Sequence, residues 1–184
     1  MPYSYPITGS TLYITITATK TTHIEDINET LRTLDKKIVD KIYQLFDADK
    51  IAGPLHLYYA AANAHHAIEY KNNISNKLDV ETLLYASTQN QISKAIQTIG
   101  VSKKTQRIAV AVISNTNEDP ATTLIAEYLG EIDDSVLELT PEKYTTLLKL
   151  YEINETAIES VGGDKYSALT SLITEKGTLI SLKR

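Results

Sequence analysis

Chemistry in this sequence would have to come from its histidines and its closely spaced carboxylates. A metal ion needs several converging ligands, and adjacent residues of a helix point about 100° apart. His65 and His66 therefore cannot easily face one ion, and we expect no metal site. His56, which is close in sequence to Asp47 and Asp49, is expected to make structural hydrogen bonds near the start of a helix, because buried polar groups normally find partners.

Two carboxylate pairs, Asp133 with Asp134 and Asp47 with Asp49, could support acid–base chemistry, but aspartates at such spacing are more typical of turns. The chain has no cysteine, which excludes disulfides, thiolate metal ligands and a cysteine nucleophile. It also lacks the glycine-rich phosphate-binding motifs and the G-x-S-x-G turn. We therefore expect no enzyme, no catalytic residues and no cofactor. A small-molecule enzyme built on His56 and the nearby aspartates is a remote alternative.

The length of 184 residues fits a single domain spanning residues 1–184. No apolar run approaches the roughly 18 residues that cross a bilayer, and the N-terminus lacks a signal-peptide layout, so we expect a soluble cytoplasmic protein. The net charge of −5 argues against an independent nucleic-acid-binding protein. Residues 71–107, however, carry five lysines and one arginine against two acids, whereas residues 118–164 carry twelve acids against two lysines. The basic segment either attracts phosphate or is ordinary solvated surface.

The elements that must position these residues centre on residues 79–100, here called the central segment, whose two ends suggest one helix. Asp79 can accept hydrogen bonds from free backbone N–H groups, and Gly100 suits a left-handed residue after the last turn. Spacings of three and four predict a buried face formed by Thr88, Ile92, Ala95, Ile96 and Ile99. The opposite face is either solvated surface or a docking site for a polar partner, and it consists of Gln89, Asn90, Ser93, Lys94 and Gln97.

Other periodic patterns predict the remaining elements. Alternation predicts a strand over residues 12–18, and apolar runs predict strands over 42–46 and 136–139 and a central strand over 108–113. Helical spacing predicts helices over residues 24–38, 55–70, 120–129, 141–151 and 168–180. Gly162 and Gly163 are expected to form a flexible joint. The expected fold class is mixed α/β (α+β), with a small, roughly four-stranded mixed sheet packed by several helices.

Part of the chain resembles a known family. The run Asn73-Ile74-Ser75-Asn76-Lys77, the stretch from Leu83 to Ile96 and the following Gly100-Val101 are similar to the signature of the Cgi-type (TPRKB-like) subunit of the KEOPS complex. Phe46-Asp47-Ala48, Ala52-Gly53 and His56 also resemble the layout of that family. The resemblance is strongest over residues 47–112 and covers most of the chain from residue 12 onward, whereas residues 115–120 do not match.

The resemblance implies a non-catalytic accessory role. KEOPS synthesises threonylcarbamoyladenosine (t6A) beside the tRNA anticodon, and its catalytic subunit is a separate protein. Cgi-type subunits bind the small Bud-type kinase-ATPase of the complex, and archaeal members help to hold tRNA by its 3′ CCA end. The expected partners are therefore this kinase-ATPase, tRNA and, indirectly, the other KEOPS subunits, without a membrane. An adaptor that binds the kinase and never contacts RNA is the nearest alternative.

Two sets of residues are candidates for these contacts. Single-stranded RNA ends are held by phosphate contacts and by hydrogen bonds to splayed bases, and suitable donors are Lys71, Asn73, Lys77, Asn90, Gln91 and Lys94. Tyrosine and aliphatic side chains without a clear core role are candidates for the kinase interface, and these are Ile74, Tyr85, Tyr144, Leu148 and Tyr151. For each residue, a solvated or core position is the alternative.

Overall fold

A computed structural model describes residues 2–21 and 25–182 of the chain. The strands in this part of the chain are β1 (Tyr3–Pro6), β2 (Tyr13–Lys20), β3 (Ile42–Asp47), β4 (Arg107–Ser114) and β5 (Glu131–Ile132). The helices are α1 (Ile27–Lys37), α2 (Pro54–Glu69), α3 (Leu78–Ser87), α4 (Ile92–Ile99), α5 (Ala121–Leu129), α6 (Pro141–Leu150), α7 (Glu155–Val161) and α8 (Lys165–Thr178). Short 3₁₀ helices span Ala48–Lys50, Asp134–Leu137 and Leu179–Leu182.

The strands form one antiparallel sheet in the order β1-β2-β4-β3, and β5 pairs with β2 on the edge that β1 also uses. The α+β class is confirmed, but the predicted mixed sheet is wrong. The crossover through α1 leaves β2 and β3 running in the same direction, yet β4 inserts between them and is antiparallel to both. The sheet therefore contains no parallel pair among the described residues.

Strand β4 confirms the prediction of an inner strand that is covered on both faces. Because side chains alternate along a strand, Ala109, Ala111 and Ile113 enter one core, and their neighbours enter another. The larger core packs mainly against α2, α3, α6 and α8, and the smaller core packs against α1 and α5. In the described part of the chain, no helix combines the length and the apolar character needed to cross a membrane.

Two elements differ from the sequence predictions, namely the edge strand β1 and the region predicted as a strand over residues 136–139. Pro6 ends β1, a strand that the sequence analysis missed, because an edge strand tolerates proline. The strand predicted over residues 136–139 is wrong: this region begins with a 3₁₀ helix. Asp134 ties that helix to β2, accepting hydrogen bonds from Thr17 Oγ1 at 2.6 Å and from the Ala18 N–H at 3.0 Å. The predicted start of the first helix at Ile24 lies outside the described residues.

The central segment forms two helices rather than the predicted one. Thr88 adopts a left-handed φ of 58° and ends α3, and the extended Gln91 precedes α4. The predicted caps also differ, since Lys77 rather than Asp79 occupies the N-cap position, and Gly100 has a φ of −70°. The left-handed residue redirects the chain, so the faces of α3 and α4 no longer form one continuous surface.

Helix α8 packs closely against α3 through a glycine. A Cβ atom added at Gly177 would lie 2.6 Å from the backbone oxygen of Tyr85, which is closer than two such atoms can approach. A side chain at this position would therefore push the two helices apart. Helix α8 also packs directly against α2, so it covers both α2 and α3.

Candidate functional site

The structure divides the predicted RNA-binding residues into two groups. One group lies in the loop between α2 and α3, and the other lies at or just before the start of α4; they are Lys71, Asn73 and Lys77, and Asn90, Gln91 and Lys94. The ten residues of α3 separate the groups. At 1.5 Å per residue, this helix places them about 15 Å apart. One small pocket cannot hold both groups, whereas an extended strand of RNA can reach both.

A buried carboxylate holds the loop of the first group in place. Glu81 is fully buried in α3, and its carboxylate oxygens accept hydrogen bonds from the backbone N–H of Ile74 at 3.1 Å and of Ser75 at 2.7 Å. Burial of a carboxylate is tolerated when backbone donors compensate for the lost hydration. Glu81 therefore anchors the loop that presents the lysines.

Within this loop, the lysines and the asparagine have different environments. The Asn73 amide donates to the Ser75 carbonyl at 3.1 Å and to Asn76 Oδ1 at 2.8 Å, so its N–H groups already shape the loop. Lys71 and Lys77 are exposed to solvent. Their ammonium groups are thus accessible to an anionic partner.

Helix α4 has an apolar edge that the sequence analysis assigned to the core. Ala95 and Ile99 are buried as predicted, but Ile92 and Ile96 are 44% and 51% exposed. The prediction that these isoleucines are buried is therefore wrong. Lys94 is exposed and lies about 200° around the helix from Ile92, on the opposite side from the apolar edge.

An apolar groove runs beside these isoleucines. It has a volume of about 180 Å³, and α1, α3, α4 and the residues after α4 line it with side chains that include Ile27, Leu31, Leu83, Ile96 and Val101. Apolar surface that is exposed at a concave site is typical of a contact region for a partner. This groove and the two exposed isoleucines form what we call the α4 groove.

The three tyrosines predicted for the kinase interface are buried. Tyr85, Tyr144 and Tyr151 are at most 6% exposed. The Tyr144 hydroxyl donates to Glu155 Oε2 at 2.9 Å, and the Tyr151 hydroxyl lies 3.1 Å from the Ala86 carbonyl oxygen. A side chain in such a position packs the core and offers little surface to a partner. The other two predicted residues, Ile74 and Leu148, are partly buried against the larger core.

His56 has the structural role that the sequence predicts, although its burial is complete. Its Nδ1 accepts the Ala52 N–H at 3.1 Å, and its Nε2 donates to the Ala86 carbonyl at 3.0 Å. Burial lowers the pKa of His56 to about 4, the hydrogen bond to Ala86 opposes this shift, and the charge of Lys143 adds to it. His56 is therefore neutral in the folded protein at pH 7 and joins α2 to α3.

The predicted carboxylate pairs have turn and ion-pair roles. Asp47 accepts the N–H of Asp49 at 3.2 Å, and Asp133 accepts the N–H of Ser135 at 3.0 Å; each aspartate caps a 3₁₀ helix. Asp49 also pairs with Arg107 at 2.6 Å. The predicted turn role of these pairs is confirmed.

A polar cavity of about 510 Å³ lies next to these turns and contains Lys143 and Arg107. Lys143 is largely buried, and burial lowers the pKa of its ammonium group to about 8, with Asp49 opposing the shift and Arg107 adding to it. The Lys143 Nζ donates to the Val136 carbonyl at 2.9 Å. This contact gives the lysine a packing role, because it holds a 3₁₀ helix onto α6.

Two features of the described surface are absent from the sequence predictions. The α4 groove was missed because periodicity shows that isoleucines share a helix face but not whether another element covers that face. The proximity of His65, His66 and Glu69 was also missed, since one potential ligand atom from each lies within 4.8 Å of the others. Their i and i+4 spacing was a signal that could have pointed to this cluster.

These observations define an α+β protein whose described surface offers an apolar groove and exposed lysines on a hydrogen-bonded scaffold. The chain belongs to the family described as kinase binding protein CGI-121, whose sequence model matches residues 19–179. It is also similar to the "Regulatory protein Cgi121" of Methanocaldococcus jannaschii, with 28% identity over 142 residues, which cover 77% of this chain and 85% of that relative. These comparisons confirm the family predicted from the sequence.

Proposed function

We propose that this protein is a non-catalytic accessory subunit of the cytoplasmic KEOPS complex, which binds the Bud-type kinase-ATPase and helps to recruit tRNA for t6A synthesis. The observation that carries the proposal is the match to a kinase-binding family over residues 19–179. The exposed α4 groove supports it, since a protein that regulates a kinase by binding needs an accessible contact surface. Contacts to the other KEOPS subunits are indirect, through the kinase.

The α4 groove is the surface that we propose for the kinase. Ile92 and Ile96 are exposed, one helical turn apart, and are continuous with the groove. Apolar side chains presented at i and i+4 on one helix are a common way for proteins to dock. Ile74 and Leu148 remain secondary candidates, because they retain partial exposure.

The kinase contact can be tested by measuring affinity for the purified kinase-ATPase with calorimetry. Replacing Ile92 and Ile96 by aspartate should weaken binding at least about tenfold, because two charges would enter an apolar contact. Gln97→Asp is a matched control, since Gln97 is an exposed residue of the same helix outside the groove. Unchanged affinity of the double variant, with its fold intact by circular dichroism, would exclude the α4 groove as the kinase surface.

The tRNA contact is proposed for the two groups of residues at the ends of α3. The exposed Lys71, Lys77 and Lys94 supply positive charge for phosphates, and Asn73, Asn90 and Gln91 are proposed to contact bases or sugars. A separation of about 15 Å is short enough for one extended single strand to reach both groups. The net charge of −5 means that this contact is expected to act together with the rest of the complex.

Salt-dependent tRNA binding by the assembled complex tests this assignment. The Lys77→Ala/Lys94→Ala variant should bind more weakly and should reduce the slope of log affinity against log salt by about 0.7 for each lost phosphate contact. Lys149→Ala is the control, because Lys149 is exposed on α6 in the acidic part of the chain. If affinity and slope are the same as in the unmodified complex, these lysines do not contact tRNA.

A protein adaptor that binds only the kinase is the second candidate. The burial of seven of the ten residues of α3 favours it, because the chain between the two predicted groups offers little surface to RNA. Photo-crosslinking of tRNA in the assembled complex distinguishes the candidates. Crosslinks to residues 71–77 or 90–94 would support RNA contact, whereas crosslinks confined to other subunits would support the adaptor.

A further inference from the structure

Three potential metal ligands converge near the C-terminal end of α2, and none of them lines the α4 groove. One ligand atom from each of His65, His66 and Glu69 lies within 4.8 Å of the other two. Helical geometry explains this convergence. Glu69 is four residues after His65 and three after His66, so it lies between them around the helix axis. Helical side chains also lean towards the N-terminus, which brings the carboxylate back towards both rings.

A backbone contact determines which ring nitrogen of His66 carries the proton. The His66 Nε2 lies 3.0 Å from the Thr8 carbonyl oxygen. A carbonyl can only accept a hydrogen bond, so Nε2 carries the proton and the lone pair of the neutral ring is on Nδ1. Metal-binding histidines characteristically donate their second ring N–H to a backbone carbonyl or a carboxylate in this way. The turn between β1 and β2 thus orients His66 as it would orient a ligand.

The other histidine has an unsatisfied nitrogen. The Nδ1 atom of His65 is buried and has no hydrogen-bond partner among the described residues. Buried polar atoms without partners are rare in folded proteins and need an explanation. Coordination of a metal ion by this nitrogen would give that explanation.

We propose that His65, His66 and Glu69 form a binding site for a divalent transition-metal ion such as Zn²⁺, with water in the remaining position. Two imidazoles and one carboxylate are a ligand set that zinc accepts, and three protein ligands leave one position of a tetrahedron open. Ligand atoms in tetrahedral zinc sites are roughly 3.4 Å apart, so binding the ion requires the three side chains to move closer together. Because Glu69 is exposed, the ion can enter from solvent.

The neighbouring charges are mixed. His65 and Glu69 line a cavity of about 460 Å³ together with Asn76, Asp79 and Lys77. The Asp79 carboxylate favours a cation in this region, and the Lys77 ammonium opposes it. Thiolates cannot compete for the ion, since the chain contains no cysteine. The site is thus defined by imidazole and carboxylate ligands.

The direct test is calorimetric titration of the metal-stripped, untagged full chain with Zn²⁺. We expect one ion per chain and, with free Zn²⁺ a hundredfold above the Kd, a rise in Tm of about 5–10 °C. Cobalt substitution should give the intense visible absorption of a tetrahedral site, which non-specific surface binding does not produce.

Substitutions of the proposed ligands test whether these residues form the Zn²⁺ site. Glu69→Gln and His65→Ala should each weaken Zn²⁺ binding at least about tenfold. Glu69→Gln is the variant least able to disturb folding, because Glu69 is exposed. Glu159→Gln is the matched control, because Glu159 is an exposed carboxylate on α7 outside the cluster, and it should bind Zn²⁺ with unchanged affinity. Absence of Zn²⁺ binding, or affinity that is unchanged in both site variants, would overturn the proposal.

Discussion

Helices α3 and α4 come from one continuous sequence pattern, but they have opposite relations to the core. Seven of the ten residues of α3 are buried, whereas only Ala95 and Ile99 are buried among the eight residues of α4. Helix α3 packs against α2, α8 and β3, and α4 packs mainly against α3. Helix α3 is therefore part of the core scaffold, whereas α4 exposes most of its side chains to solvent.

The difference follows from what each helix offers to its neighbours. The Ala86 carbonyl of α3 lies within hydrogen-bond distance of both His56 and Tyr151, and Gly177 lets α8 approach the Tyr85 backbone. Surrounding elements thus hold α3 by polar contacts as well as by packing. No comparable set of contacts covers Ile92 and Ile96 among the described residues. Substitutions of these two residues should therefore affect the binding of a partner more than the stability of the fold.

The largest effect should come from truncating the core of α3. Leu84 is fully buried, so Leu84→Ala should lower the free energy of unfolding by about 2–5 kcal/mol through lost burial and a residual cavity. Urea denaturation followed by circular dichroism measures this change. If the free energy of unfolding falls no more than it does for an alanine substitution on α4, the two helices do not differ in their contribution to stability.

Acid should weaken the contact between α2 and α3 through His56. Its pKa is about 4 in the folded protein against 6.5 for an unperturbed histidine. The unfolded chain therefore binds the extra proton first as pH falls, and stability should decrease between pH 6.5 and pH 4 by at most about 3 kcal/mol. Urea denaturation across this range measures the loss, and NMR titration of His56 measures its pKa. An NMR midpoint near 6.5 would contradict the assignment.

A smaller effect is expected at the start of α3. Glu81→Gln leaves one carbonyl oxygen where two carboxylate oxygens accept backbone N–H groups, so it should cost about 1–3 kcal/mol. Hydrogen exchange of the Ile74 and Ser75 amides should become faster at the same time. Asp79→Asn, on the same turn of α3, is the control. Unchanged exchange would show that Glu81 does not hold the loop.

The smallest change in stability is expected on α4. Ile96→Ala should lower the free energy of unfolding by less than about 0.5 kcal/mol, because the side chain is about half exposed. The same variant should measurably weaken binding to the kinase-ATPase. A large loss of stability without a loss of affinity would reverse the roles that we assign to the two helices.

Much of the fold is predictable from short-range pattern. Alternation and apolar runs identified β2, β3 and β4, and helical spacing identified α2, α5, α6 and α8. These patterns succeed because a side chain's direction depends on its place in the local backbone period. The structural roles of His56 and of the aspartate pairs also followed from residue type, since these groups need hydrogen-bond partners nearby.

Other features depended on contacts between distant parts of the chain. Periodicity placed Ile92 and Ile96 on the same face as Ala95, but only packing shows that no described element covers them. The burial of Tyr85, Tyr144 and Tyr151 likewise depends on tertiary packing, because tyrosine occurs both in protein cores and at interfaces.

The sequence by itself determined the α+β class, the family and most of the helices and strands, because each depends on local period or on residue identity. Tertiary structure alone decided the antiparallel sheet, the break at Thr88 and the exposed edge of α4. These features depend on where the backbone turns and which surfaces meet. A local pattern specifies the direction of a side chain but not the neighbour that it meets.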